Sequence, residues 1–311
     1  MELGRWMHTD LAVEARESFE GDGGEIPGVS LEEVVIAEAE LKVTTVEILN
    51  EAGEKAMGKP VGTYITLESD FYNYEESCLE QLAAYIRRLL PETDRPFLTV
   101  GLGNQDMTAD SLGPVAVNHL RINAHLSEIG GMSGITPGVM AQTGMETAHI
   151  IKGIVEATRP GAVIVVDALA ARSTARLGRT IQLTDTGIHP GSGVGNHRMG
   201  INEESLGVPV IAIGVPTVVG TATIACDTLD ALAGCLEQEP QTKAMAETIR
   251  AMSGPERHQV MQELMGKGLG GLFVTPKDID ETVVRLGGFV AEGINRAVEA
   301  QVTWQEKKVM E

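Results

Sequence analysis

The chain has 311 residues, 43 % of them hydrophobic, and a formal net charge of −20. That is enough for one large globular domain or two small ones, and no apolar run approaches the roughly 20 residues that span a bilayer, so no membrane role is expected. The acidic balance opposes a phosphate backbone and no basic patch overrides it, which argues against direct nucleic-acid binding.

Three cysteines, Cys78, Cys226 and Cys235, lack CxxC spacing and suit a reducing compartment. Glu2 and the lack of an apolar signal core argue against export, so a cytoplasmic location is expected.

Residues 1–10 are mixed in character, and residues 11–17 read as a helix start. Residues 21–28 combine turn formers with almost no apolar anchor and read as a loop. Residues 43–50 and 62–67 read as neighbouring strands, with 51–59 a polar connection between them. Residues 77–90 place Leu79, Leu82, Ile86 and Leu89 at helical spacing and stop before Pro91.

The apolar run 97–100 reads as a strand, and 112–126 as a helix with Pro114 near its first turn, where a missing N–H costs little. Between them lies a strand-to-helix loop containing Asp110. Residues 130–138 form a glycine-rich loop, 147–158 a helix, and 162–166 a strand ending directly in Asp167, which makes a strand, helix, strand crossover. Short strands are expected at 180–183 and 208–214. Beyond Thr221 the pattern turns helical, over 224–236, 243–252 and 279–298, with a glycine-rich break at 266–271. No linker separates two domains.

In an open parallel sheet, loops at the carboxyl edges of the strands line the crevice where ligands bind. Asp110, Asp167, His189 and Thr217 each follow an apolar run, so all four are expected at one edge. Two close carboxylates cannot both ionise cheaply, so one keeps a proton. One acid can then activate water while the other donates to the carbonyl oxygen or leaving amine, as peptide hydrolysis requires.

The same residues leave other readings open. Asp110, Asp167 and His189 match a three-ligand site for one divalent metal with an open position for water. Both acids can also be plain loop residues, one of them capping a helix near Ser111, in a non-catalytic peptide- or nucleotide-binding α/β protein. Gly101-Leu102-Gly103-Asn104 invites a dinucleotide reading, but Asp106 stands where the third glycine of that motif belongs and opposes a pyrophosphate. Thr217 and Ser192 are plausible hydrogen-bonding neighbours.

Six blocks in order closely resemble the germination protease family of spore-forming bacteria. They are residues 9–17, the stretch from Gly101-Leu102-Gly103-Asn104 to Asp110-Ser111-Leu112-Gly113-Pro114, residues 137–144, Asp167-Ala168-Leu169-Ala170-Ala171-Arg172-Ser173, residues 185–196 and residues 214–219; Val274-Thr275-Pro276-Lys277 adds a seventh.

The resemblance implies an α/β fold, a three-layer sandwich with a mostly parallel central sheet similar to the hydrogenase maturation peptidases, plus a small extra β region near the N-terminus. It implies an endopeptidase that degrades small acid-soluble spore proteins during germination. Such an enzyme is made as a zymogen, removes its own N-terminal segment, assembles as a homotetramer and works in the spore core.

The family's two essential aspartates fall on Asp110 and Asp167, with no cofactor; the metal-dependent alternative keeps His189. Family substrates are cut after an acidic residue and before an apolar residue and Ala, with Glu shortly after. Asp10-Leu11-Ala12-Val13-Glu14 resembles that pattern, so cleavage is expected between Asp10 and Leu11. This leaves residues 1–10 as propeptide and 11–311 as a single peptidase domain.

Overall fold

The computed structural model describes residues 10–17, 26–71, 75–126, 130–191 and 198–310, with the backbone alone at 254, 255, 267 and 306–310. Residues 1–9 of the expected propeptide, 21–25 of the expected loop, and Ser192 with the rest of 192–197 lie outside the described residues.

In chain order the first elements are α1 (Ala12–Glu17), β1 (Val29–Ile36), β2 (Leu41–Ile48), α2 (Glu51–Met57), β3 (Gly62–Glu68), α3 (Glu76–Leu89) and β4 (Phe97–Gly101). Then follow α4 (Leu112–Asn118), β5 (Met132–Ile135), α5 (Met140–Thr143), α6 (Thr147–Thr158), β6 (Ala162–Ala171), β7 (Thr180–Thr184), α7 (Glu203–Leu206) and β8 (Val210–Gly220). The chain closes with α8 (Thr221–Leu236), α9 (Lys243–Arg250), α10 (Gly254–Leu269), β9 (Phe273–Val274) and α11 (Ile279–Met310).

The strands form one sheet in the order β1-β2-β3-β7-β8-β6-β4-β5, with β9 added to β8. β5, β4, β6 and β8 run parallel and make the α/β core, whereas β7, β3, β2 and β1 continue the sheet antiparallel. The expected N-terminal β region is therefore an extension of the main sheet. β2 and β3 pair as neighbours, as expected of two strand-like runs joined by a short connection.

Alternate residues of each central strand feed two apolar layers, since side chains point to opposite faces with a period of two. Ile164, Val166, Ile211 and Ile213 pack with Leu82 and Ile86 of α3, Leu112 and Ala116 of α4, and Phe289 and Val290 of α11. Val163, Val165 and Val210 pack on the other side with Ala148, Ile151 and Val155 of α6 and Leu206 of α7. Helices thus cover both faces of the parallel half, at about 1.5–3 kcal/mol for each large apolar side chain removed from water.

Several boundaries depart from the sequence expectation. The strands expected to end at Val166 and Gly214 run on to Ala171 and Gly220, because β6 and β8 pair beyond those points around a bulge between Leu169 and Ala170. The polar connection 51–59 contains α2, whose start is capped by the Asn50 side chain accepting from the N–H groups of Ala52 and Gly53 at 3.0 and 3.2 Å.

The helix expected over 112–126 stops at Asn118, and the Arg121 N–H that follows donates to the Asn295 side chain at 2.9 Å. β1 arises where no element is expected: its side chains are mostly exposed, so it lacks the alternation that marks a half-buried strand. The glycine-rich stretch 130–138 holds the short edge strand β5, and the break at 266–271 is a kink within α10 at Gly266.

Candidate active site at the carboxyl edge of the parallel strands

β4 delivers the chain to a tight loop that returns Asp110 to the end of the strand. Gly103 is required there, since it adopts φ +108 and a Cβ would lie within 1.9 Å of the Asp110 carbonyl oxygen. The Asn104 N–H donates to Asp110 Oδ2 at 2.9 Å, so this carboxylate closes its own loop and does not cap α4. Gln142 of α5 braces the loop from outside, donating to Asn104 Oδ1 at 2.7 Å and to Asp106 at 3.0 Å.

Asp167 sits inside β6 on the α6 side of the sheet, which corrects the expectation that it follows the strand. Its Oδ1 accepts from the Ala168 N–H at 2.9 Å. The Leu102 N–H donates to the Val166 carbonyl at 2.8 Å and draws the Asp110 loop against this part of β6.

The sequence expectation of convergence is met. Asp110, Asp167, His189 and Thr217 all line one crevice of about 370 Å³, together with Asp10, Arg198, Leu169, Ala170 and Phe273. Thr217 lies within β8 at the bulge, where it has no partner on β6, and its buried hydroxyl makes no hydrogen bond among the described residues. His189 is exposed, and its ring packs so tightly against Gly200 that a Cβ there would lie 2.7 Å from Cε1.

Among the described residues, no three His, Cys, Asp or Glu side chains gather closely enough to hold a metal ion. The trio Asp110, Asp167 and His189 therefore shares a crevice without the geometry of a ligand set.

The two acids differ electrostatically. Burial pushes the Asp167 carboxyl well above the usual range, and the charges of Asp110 and Asp10 push it further; the Ala168 N–H and Arg198 oppose this. Asp110 is raised too, by burial, against the lowering effect of the Asn104 N–H and Arg198. Asp167 is the group that holds a proton most readily.

Residues 10–14 dock along the same edge. Where the chain runs on past β4, backbone N–H groups meet acidic side chains: Ala170 of β6 donates to Asp10 Oδ2 at 3.1 Å, and Arg172, just after the strand, donates to both oxygens of Glu14 at 3.0 and 3.1 Å. Glu14 is also 3.4 Å from Arg176, which donates to Glu68 at 2.6 Å. Leu11 and Val13 are buried against Leu169.

The Asp10 carbonyl accepts from Lys59 Nζ at 3.0 Å and from Gln182 Nε2 at 2.9 Å, while Gln182 Oε1 accepts from the Ala12 N–H at 2.6 Å. Lys59, Gln182 and Arg198 escape the sequence reading. The one signal was Gln182, a polar residue between Ile181 and Leu183 in an otherwise apolar strand.

A profile of the germination protease family matches residues 7–248. The germination protease of Caldanaerobacter subterraneus subsp. tengcongensis is 44 % identical over 96 % of each chain. That of Clostridium perfringens is 42 % identical over 96 % of this chain and 97 % of its own. That of Bacillus subtilis is 34 % identical over 97 % and 95 %.

A solved nickel–iron hydrogenase maturation protease from Thermococcus kodakarensis superimposes with a TM-score of 0.35 and 16 % identity, covering 68 % of this chain and 98 % of that one. A likeness of that size carries no weight for chemistry.

Proposed function

The chain belongs to the germination protease family and is a peptidase; from that premise we propose that it is a self-processing endopeptidase that begins the breakdown of small acid-soluble spore proteins, cutting after an acidic residue. The observation that carries the reading is the meeting of a buried Asp167, its pKa pushed up, with Asp110 in one crevice that Asp10 of the chain itself also lines.

Asp110 takes a proton from water as its oxygen attacks the scissile carbonyl carbon. Asp167 gives its proton to the departing nitrogen, and the C–N bond breaks to leave a carboxylate and an amine. Residues 1–10 are the propeptide, removed by a cut between Asp10 and Leu11. The enzyme works as a homotetramer in the spore core and needs no resident metal.

The test is a time course of the purified full-length chain under mildly acidic conditions, followed by N-terminal sequencing, alongside a peptide containing Glu-Ile-Ala-Ser-Glu. A new N-terminus at Leu11 and cleavage after the first glutamate are expected, both lost in Asp167→Asn and both unaffected by chelators. Activity that disappears on chelation and returns with one divalent metal overturns the two-aspartate mechanism. A chain that cuts neither itself nor the peptide is a binding protein.

A further inference from the structure

Gln182 of β7 and Asp167 of β6 both lie opposite Gly214 of β8 in register, so the three positions form a row across adjacent strands. Cross-strand partners point to the same face, and strands lie about 4.8 Å apart, so the acid and the amide flank Gly214 from roughly 10 Å. Gly214 contributes no side chain to the gap, and a Cβ there would lie 2.3 Å from Leu169.

The Asp10 carbonyl beside this row receives two donors, from Lys59 and Gln182. Gln182 also holds the Ala12 N–H, so one amide grips the backbone on both sides of Leu11. Two donors on one peptide oxygen, one of them cationic, exceed what docking a short segment needs; they match what a carbonyl needs as it gains negative charge.

We propose that Lys59 and Gln182 form the oxyanion hole for self-cleavage at Asp10–Leu11. The inference rests on reading that bond as the processing site. Water adds to the Asp10 carbonyl carbon and the π electrons move onto its oxygen, where both donors stabilise the charge. The attacking water passes a proton to Asp110; when the carbonyl re-forms, the C–N bond breaks, the Leu11 nitrogen takes up the Asp167 proton, and Asp10 is left as a carboxylate.

Burial pushes the Lys59 ammonium below its usual range while Asp10 and Glu14 pull it back up, in keeping with a cation held in place by the segment it acts on. The sequence alone could not reveal this pair, because Lys59 reads as a polar connection and Gln182 as a strand interior.

The experiment follows the rate at which full-length chains acquire Leu11 as their N-terminus, in wild type, Lys59→Met, Lys59→Arg and Gln182→Leu, with thermal unfolding recorded for each. Loss of one oxyanion donor costs about 100- to 1000-fold in rate. Lys59→Met is expected to slow processing by about that factor without loss of the folded state, Gln182→Leu to slow it at least about tenfold, and Lys59→Arg to recover part of the rate.

If Lys59→Met does not fold, Gln182→Leu carries the test by itself. Folded variants that process at the wild-type rate overturn the oxyanion hole and leave the processing site standing. A wild-type chain that cuts the peptide but never exposes Leu11 overturns the processing site, and the oxyanion hole with it.

Discussion

On the parallel side of the sheet, β4, β6 and β8 lie between helices and their buried residues alternate between two apolar layers. On the antiparallel side the sheet thins out to β1, where Leu31, Val34 and Val35 face solvent. The two sides contribute differently to the site.

The parallel half supplies the two carboxylates, Asp110 from the loop after β4 and Asp167 from within β6 where that strand runs on past β4. The antiparallel half supplies Lys59 and Gln182, and its apolar underside holds Ala12 and Ala15 with Val46, Ile48 and Tyr64. Lys59 and Gln182 line a neighbouring pocket that shares Asp10, Leu169 and His189 with the crevice, so the carboxylates and the grip on residue 10 meet at the seam between β8 and β7.

The largest effect is expected from the parallel side. Asp110→Asn and Asp167→Asn should each lower peptide hydrolysis by about a thousandfold or more, and the double variant should be little worse than either, because groups that act as a unit are not additive. Full additivity in single-turnover rates would separate the two acids and end the pair mechanism.

Across the seam, Arg176→Gln removes the cation that faces both Glu14 and Glu68. Breaking a largely buried ion pair by removing one member costs about 3 kcal/mol. Urea unfolding should show a loss of that order, and a loss below about 0.5 kcal/mol would mean that residues 10–17 dock independently of the seam.

A pH series sharpens the contrast between the acids. The folded Asp167 pKa lies above its unfolded value, so the folded chain binds more protons than the unfolded one. Stability due to this group therefore falls as pH rises from the unfolded carboxylate range, about 4, toward the raised folded pKa. Wild type is expected to lose stability relative to Asp167→Asn over that rise, as measured by unfolding at each pH; parallel curves would mean that Asp167 is not held protonated.

Smaller effects come from Thr217 and the sheet edge. Thr217→Val replaces a buried hydroxyl that has no partner among the described residues, so stability should hold or rise by about 1 kcal/mol, while slower peptide turnover would mark the hydroxyl as a substrate contact. Val35→Thr on exposed β1 should stay within about 0.5 kcal/mol. A larger loss there would show that the antiparallel edge is covered in solution.

The sequence was most legible where burial enforces a period. Thr147–Thr158 and the start of α3 follow apolar spacing, and the pairing of β2 with β3 follows from two strand-like runs close along the chain. It was least legible where partners lie far along the chain. The extension of β6 past Asp167 needs β8 alongside it, and β1 has no buried face to announce it. That Asp110, Asp167 and His189 do not gather closely is likewise a matter of distances that composition does not encode.

By itself the sequence determined the two acids, the α/β crossover that carries them to one edge, and the acidic-apolar-Ala pattern at Asp10 to Ala12, because each is written in local order and in residue type. Only the tertiary structure decided that the Asp10 carbonyl faces Lys59 and Gln182, 49 and 172 positions away. Hydrogen bonds of that range depend on strand register, and register is fixed by the packing of the whole sheet and not by any one segment.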